Sequence, residues 1–220
     1  MSAIDSLQKK IGYHFNDSSL LETALTHRSF GAKNNERLEF LGDAVLGAVI
    51  ARALFERFTD AKEGELTRMR ARLVRGETLA VIAHELEFEK YLIVGAGELK
   101  AGGRQRSSIR ADAFEAVMGG IYLDDGFETV SNVILALFEE RLSSVQPDID
   151  KDSKTQLQEA LQQKGLPLPE YAIISKSGKP HDLSFEVQCK LSEPDRSFVA
   201  KAKSRRAAEQ QAAKDALEAL

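Results

Sequence analysis

The sequence predicts two unlike domains in series, an all-α domain over residues 1–146 and a small α+β domain over 152–220 with the order α-β-β-β-α. Three observations predict this. Two helix-length segments in the first part are almost devoid of charge. A polar stretch containing proline follows them, and behind it one segment alternates apolar and polar residues with period two. A chain of 220 residues suits two domains. With 43% hydrophobic and 29% charged residues, a packed globule is expected.

The first charge-poor segment, Leu38 to Phe55, carries only Glu39, Asp43 and Arg52. The second, Ile109 to Leu123, carries only Arg110, Asp112 and Glu115. A helix apolar nearly all round belongs in the middle of its domain. Between them, Glu65 to Arg75 and Thr78 to Glu87 read as amphipathic helices, and Gly95 to Ser108 reads as a Gly-rich basic loop. Gly126 to Leu142 is one more helix. Ser144 to Asp152 is the linker. Beyond it, Ser153 opens a helix to Lys164 with a Ser-x-x-Gln capping signal, ended by Gly165 and two prolines. Tyr171 to Ser175 and Ser197 to Lys201 read as strands. Between them Leu183, Phe185, Val187, Cys189 and Leu191 share one face of a half-buried antiparallel strand. Ser204 caps a closing helix to Leu220.

Composition excludes several classes. No apolar run approaches the roughly 20 residues of a membrane helix, so no membrane partner is expected. The N-terminus has no apolar secretory core, and the single Cys189 cannot form an internal disulfide. A cytoplasmic protein is the expectation. From Asp152 onward 11 basic residues face 10 acidic ones, which leaves 19 basic and 24 acidic of the total 30 and 34 in the first part. Net charge therefore says little for a nucleic-acid partner, and local clusters must carry that case.

The chemistry lies in carboxylates. Glu36, Glu39 and Asp43 stand at i, i+3 and i+7, within about 60° of arc on one helix face. Asp112 and Glu115 stand at i and i+3 on the other charge-poor helix. On an ordinary surface helix such a stripe is merely solvated. On helices otherwise apolar, the carboxylates must face a cleft or the core, where they repel each other and their pKa values rise. A divalent cation resolves this, and an all-oxygen ligand set suits Mg²⁺, with Mn²⁺ as substitute. Gly42, Gly47, Gly119 and Gly120 are candidates for letting the two helices approach closely. The four histidines have no ligand spacing, no Glu-x-x-His pair exists, and His181-Asp182 reads as a turn. No nucleophilic triad, Walker spacing or small-molecule cofactor motif is present.

Basic residues indicate the substrate class. Arg68, Arg72 and Arg75 share a helix face, a pattern that solvation alone also explains. Lys201, Lys203, Arg205 and Arg206 cluster where the last helix starts. Cations there oppose the helix dipole, so the arrangement makes sense if a phosphate binds. Gln158 and Gln162, four apart, share a face that can read 2′-hydroxyls in the shallow RNA minor groove.

The stretch from Asn35 to Leu46, Asn-Glu-Arg-Leu-Glu-Phe-Leu-Gly-Asp-Ala-Val-Leu, resembles the signature of the ribonuclease III family. The resemblance extends through Glu63-Gly64, Asp112-x-x-Glu115 and the C-terminal module. It implies a metal-dependent endonuclease domain, a double-stranded-RNA-binding domain and a homodimer that cradles the duplex. By motif position it implies that Glu39, Asp43, Asp112 and Glu115 hold Mg²⁺, with Asp43 and Glu115 central to catalysis. Glu36 and Glu63 would be supporting carboxylates, and Phe40 would insert into the partner subunit. Gln158, Gln162, Pro180, His181, Lys201, Lys203, Arg205 and Arg206 match the family's RNA contacts. One departure is Ala200-Lys201-Ala202, where the family often has Gly-x-Gly. The implied reaction is phosphodiester hydrolysis by metal-activated water, leaving 5′-phosphate and 3′-hydroxyl ends, in processing of rRNA precursors and structured mRNAs. A non-catalytic RNA-binding regulator of the same fold is the alternative, and the complete carboxylate set speaks against it.

Overall fold

A computed structural model describes residues 3–147, 153–178 and 183–220. The chain divides into two compact units, Met1–Ile149 and Asp150–Leu220.

The first unit is helical, with α1 (Ala3–Ile11), α2 (Ser18–Ala24), α3 (Glu36–Arg57), α4 (Glu63–Val74), α5 (Gly76–Glu85), α6 (Ala96–Lys100) and α7 (Ser107–Ser144). As the charge-poor segments within α3 and α7 demanded, these two helices form its centre. Leu46, Ile50 and Leu54 of α3 and Phe114, Val117 and Phe138 of α7 are fully buried. The rings of Phe88, Phe114 and Phe138 stack as tilted neighbours at centroid separations of 6.2 and 6.3 Å. Two glycines set the spacing between the helices. A Cβ on Gly42 would lie 1.8 Å from the Glu115 carbonyl oxygen, and one on Gly119 would lie 2.2 Å from that of Leu38. The other two candidates do not serve here: a Cβ on Gly47 would meet nothing within 4 Å, and one on Gly120 would meet the Phe15 ring at 3.3 Å.

The helices read at Ile109–Leu123 and Gly126–Leu142 form one span, α7, broken by non-helical backbone at Asp125 and Gly126. Gly126 takes φ 81°, a conformation open to glycine, so the junction is a kink. Just before it, the Asp124 carboxylate accepts from the Tyr13 hydroxyl (2.6 Å) and from the backbone N–H groups of Asn16 (2.7 Å) and Asp17 (3.0 Å). This knot fastens the α1–α2 connection to α7. The Gly95–Ser108 stretch, expected as a loop, contains α6 and a 3₁₀ turn at Gly103–Gln105. Segments this short leave too little periodicity to be seen in a sequence.

The second unit holds α8 (Ser153–Gln163), β1 (Glu170–Ser177), β2 (Ser184–Leu191), β3 (Arg196–Ala202) and α9 (Arg205–Glu218). The strands form an antiparallel sheet in the order β1-β2-β3, in which Val187 faces Ala200 and Glu186 faces Lys201. Val187, Cys189 and Leu191 are buried as the alternation requires, while Phe185 is half-buried with the Lys176 amine 5.5 Å from its ring centroid. Small residues let α9 lie on the sheet: Ala212, Ala213 and Ala216 pack with Leu157, Leu161, Cys189 and Leu191. Ala200 belongs to this core, so a side chain where the family often has glycine fills packing space. The Ser204 hydroxyl accepts from the Ala207 N–H (3.2 Å) and caps α9. Among the described residues no helix is long and apolar enough to cross a membrane.

Candidate functional site

The approach that Gly42 and Gly119 allow brings the acidic face of α3 against that of α7. Carboxylate oxygens of Glu39, Asp112 and Glu115 lie within 4.8 Å of one another, and all three residues are half-buried. The sequence could place two acidic stripes on two helices, and the packing of those helices makes them one cluster.

The repulsion expected from such a cluster is present. Burial, then the charges of Asp43, Glu39 and Asp112, push the Glu115 carboxyl up to about 8. Burial also raises Glu39, helped by Asp112, Glu36 and Asp43 and opposed by Arg28. Asp112 is raised by burial, with His27 and Arg28 pulling the other way. Asp43 is exposed and stands outside the trio, although it is the foremost charge acting on Glu115. The trio fits a hard divalent cation on its own chemistry. It offers only oxygen donors, and burial, with mutual repulsion at Glu39 and Glu115, raises their pKa values until a positive charge enters. Of the arginines in the adjoining cleft, Arg28 pairs with Glu36 at 3.4 Å and Arg106 with Glu98 at 2.9 Å, so neither closes on the trio.

That cleft has a volume of about 470 Å³ and is bounded by His27, Arg28, Asn35, Glu98, Arg106 and Asp112, among others. Its walls are tied together. Thr26 and Ile93 form a parallel bridge, with the His27 N–H donating to the Ile93 carbonyl at 2.9 Å. The Gly95 N–H donates to the Ser29 hydroxyl at 2.9 Å. His27, Arg28 and Glu98 were missed from the sequence because the first two lie some 70 residues from the third, and no spacing rule joins them.

The remaining carboxylates differ. Glu36 is exposed beside the cleft, bonded to Arg28. Glu63 lies elsewhere in this chain, at the start of α4, where it accepts from the Thr67 hydroxyl at 2.8 Å and borders an apolar hollow with Ala51, Phe55 and Leu66. Phe40, one residue from Glu39, is 80% exposed. Arg72 and Arg75 border a small cavity with Arg141, on no part of the carboxylate cleft.

In the second unit Gln158, Gln162, Lys201, Lys203, Arg205 and Arg206 are all exposed. Gln158 and Arg206 share a pocket with Lys154, Thr155, Glu209 and Gln210. Arg205 donates to Glu209 at 2.7 Å, and Lys154 donates to the other oxygen of the same carboxylate at 2.7 Å. Glu209 was missed; it balances part of the positive charge at the start of α9, and the bonds from both cations hold its carboxyl low against the effect of burial. Pro180 and His181 lie outside the described residues.

Known proteins resemble both units of this chain. A family model described as Ribonuclease-III-like matches residues 17–142, and one described as Double-stranded RNA binding motif matches 153–220. Ribonuclease 3 of Vibrio atlanticus is 51% identical over 220 residues, covering 100% of this chain and 98% of that one. The chain belongs to the ribonuclease III family. Two solved structures of the ribonuclease III nuclease domain from Campylobacter jejuni are similar to it. One has a TM-score of 0.63 at 41% identity, covering 66% of this chain and 100% of that chain. The other, described for structural flexibility in a region involved in dimer formation, has a TM-score of 0.61 at 43% identity, covering 62% and 96%. As a ribonuclease III, this protein is a double-stranded-RNA endoribonuclease, with its nuclease unit first and its RNA-binding unit second.

Proposed function

We propose that this ribonuclease III hydrolyses duplex RNA as a homodimer at a Mg²⁺ site formed by Glu39, Asp112 and Glu115 together with Asp43. The observation that carries the reading is the half-buried cluster of carboxylates, with oxygens within 4.8 Å of one another. A bound divalent cation would supply Lewis acidity toward the phosphoryl oxygens and a water acidic enough to attack at neutral pH. Mn²⁺, also hard and oxygen-seeking, should substitute. The chain's own contribution is to hold the oxygens in place on two helices locked at Gly42 and Gly119. Glu115, its carboxyl pushed up to about 8, keeps a proton near neutrality until positive charge arrives, and Asp43 stands ready as an exposed fourth ligand. Glu36 supports the site through Arg28.

Dimer formation is supported by Phe40, an 80% exposed aromatic on the central helix next to Glu39. The hollow bounded by Ala51, Phe55 and Leu66 offers a second copy's Phe40 an apolar seat, and Glu63 at its edge would then approach the partner's carboxylates. In the RNA-binding unit, 152–220, Gln158, Gln162, Lys201, Lys203 and Arg206 form the outward RNA face, and Arg205 keeps its Glu209 bond as it contributes charge. Pro180 and His181 are assigned to RNA contact from the family motif alone. Processing of rRNA precursors and structured mRNAs in the cytoplasm is the matching biological role. Long duplex RNA should be cut by the purified protein with Mg²⁺ and left intact with a chelator, while single-stranded RNA should survive both. Cutting that persists in chelator refutes the metal site.

A further inference from the structure

Asn35, Glu98 and Arg106 of the carboxylate cleft have no part in the function above, and Arg28 has only its bond to Glu36. Their arrangement shows a built site. Glu98 is a positioned side chain: it is only 19% exposed, and its carboxylate meets Arg106 at 2.9 Å. The chain wraps so tightly over it that a Cβ on Gly103 would lie 2.4 Å from the Glu98 Cγ and 2.7 Å from its Oε1. Arg106, 54% exposed, is thus held at one edge and open at the other, immediately before α7 and six residues ahead of Asp112.

Arg28 approaches from the opposite wall. Its segment is fixed by the Thr26–Ile93 bridge, and its pairing with Glu36 is a long 3.4 Å at 69% exposure. Asn35, at the start of α3, is 1% exposed, and its side-chain amide nitrogen has no hydrogen-bond partner. A buried donor without an acceptor is costly, and in a cleft wall it points to a ligand oxygen. The cleft therefore pairs a carboxylate cluster at one end with two guanidinium groups and an amide donor beside it. The ion-pair partners of the arginines are Glu36 and Glu98, not the trio, and Arg28 acts on Glu39 and Asp112 only through space. Guanidinium forks match phosphate oxygens in pairs.

We infer that Arg28 and Arg106 grip a backbone phosphate of the bound RNA next to the linkage being cut, and that Glu98 is the positioning residue that sets Arg106 for this contact. This rests on the duplex-cleavage reading. The grip fixes the register of the scissile linkage over the carboxylates, since a phosphate held a fixed distance away leaves the next one no choice of place.

The test uses the full-length protein and duplex RNAs carrying one neutral methylphosphonate linkage at successive positions around the cut. In the wild type, one linkage adjacent to the cut should slow cleavage roughly 10- to 100-fold when neutralised, the loss of a charge-assisted contact. In Arg106→Ala the rate on unmodified RNA should fall, with the penalty at that linkage reduced to what Arg28 alone contributes. Arg106→Lys, which keeps the charge without the fork, should recover part of both effects and serves if the alanine variant folds poorly. Glu98→Gln should shrink the penalty at that linkage while the melting temperature holds. A merely structural role for Glu98 would lower melting and leave the penalty whole. If Arg106→Ala or Arg106→Lys retains the full wild-type penalty at every linkage, the inference is overturned while the nuclease reading stands. If the wild-type protein fails to cut unmodified duplex with Mg²⁺, both fall.

Discussion

Gly42→Ala would test whether the site depends on the helix spacing, because the substitution acts on that spacing and on no functional group. The new Cβ would lie 1.8 Å from the Glu115 carbonyl oxygen, 2.5 Å from its carbon and 3.0 Å from the Gly119 nitrogen. Every obstacle is backbone, so no side chain can swing away. Relief requires α3 and α7 to separate by roughly 1.5 Å to reach van der Waals distance. Overpacking of this kind costs about 3 kcal/mol, the upper part of its usual range. At about 2–4 °C per kcal/mol for a chain this size, the melting temperature should drop by some 6–12 °C. The shift also moves Glu39 away from Asp112 and Glu115, and misplacement by about 1 Å lowers a rate on the order of 100-fold. Gly47→Ala is the internal control. Its Cβ would meet nothing within 4 Å, and alanine in mid-helix should stabilise by about 0.5–1 kcal/mol. Thermal unfolding by circular dichroism and duplex cleavage with Mg²⁺ measure both variants. A Gly42→Ala protein that melts and cuts like the wild type would show that the helices do not meet here.

Other perturbations have equally definite signs. In metal-free buffer Glu115 is held at about 8 against its ordinary 4.5, so its folded state binds the proton more tightly than the unfolded chain does. The contribution of Glu115 to stability should be greatest below about 4.5 and be lost as pH rises toward 8, so the wild type should lose stability relative to Glu115→Gln across that window; divalent cation should remove the difference, and a metal-free wild type that tracks Glu115→Gln would show that this carboxyl is not held high. Phe40→Asp places a charge where an 80% exposed aromatic should meet its partner, and light scattering should show a weakened dimer; a wild-type protein already monomeric at micromolar concentration contradicts the assignment. A chain ending at Gln146 should still cut duplex RNA at low salt but lose activity steeply as salt rises, because the exposed cations of the second unit are gone. An unchanged salt profile would show that the second unit does not supply this affinity.

How much was legible in the sequence follows from what each residue reports on. The charge-poor runs around Leu46 and Val117 marked the two buried helices, and the alternation from Leu183 to Leu191 marked the central strand, because burial on one face or all round writes itself directly into residue type. The carboxylates were legible because their neighbours are apolar. Contacts between distant segments were not. Nothing near Glu98 in sequence announces Arg28, and of four glycines proposed for close approach only Gly42 and Gly119 face the opposing helix. Likewise the charge of Arg205 is legible in the sequence, but its bond to Glu209, one turn on, is not. Asp43 reads as equivalent to Glu39 on a helical wheel, yet it remains exposed while Glu39 turns into the cluster.

The most direct test of the central claim is to separate binding from chemistry at Glu115. Glu115→Gln keeps the shape of the side chain and removes one charge from the trio. Gel-shift affinity and cleavage rate are measured for both proteins on one duplex RNA across a Mg²⁺ titration. Affinity should be nearly unchanged, since the exposed Lys203, Arg205 and Arg206 belong to the other unit. Turnover should fall by several orders of magnitude, because weakening the metal site removes several kcal/mol of transition-state stabilisation. Near-wild-type cleavage by Glu115→Gln at low Mg²⁺ would contradict the account, for the cluster of Glu39, Asp112 and Glu115 would then not be where the metal works.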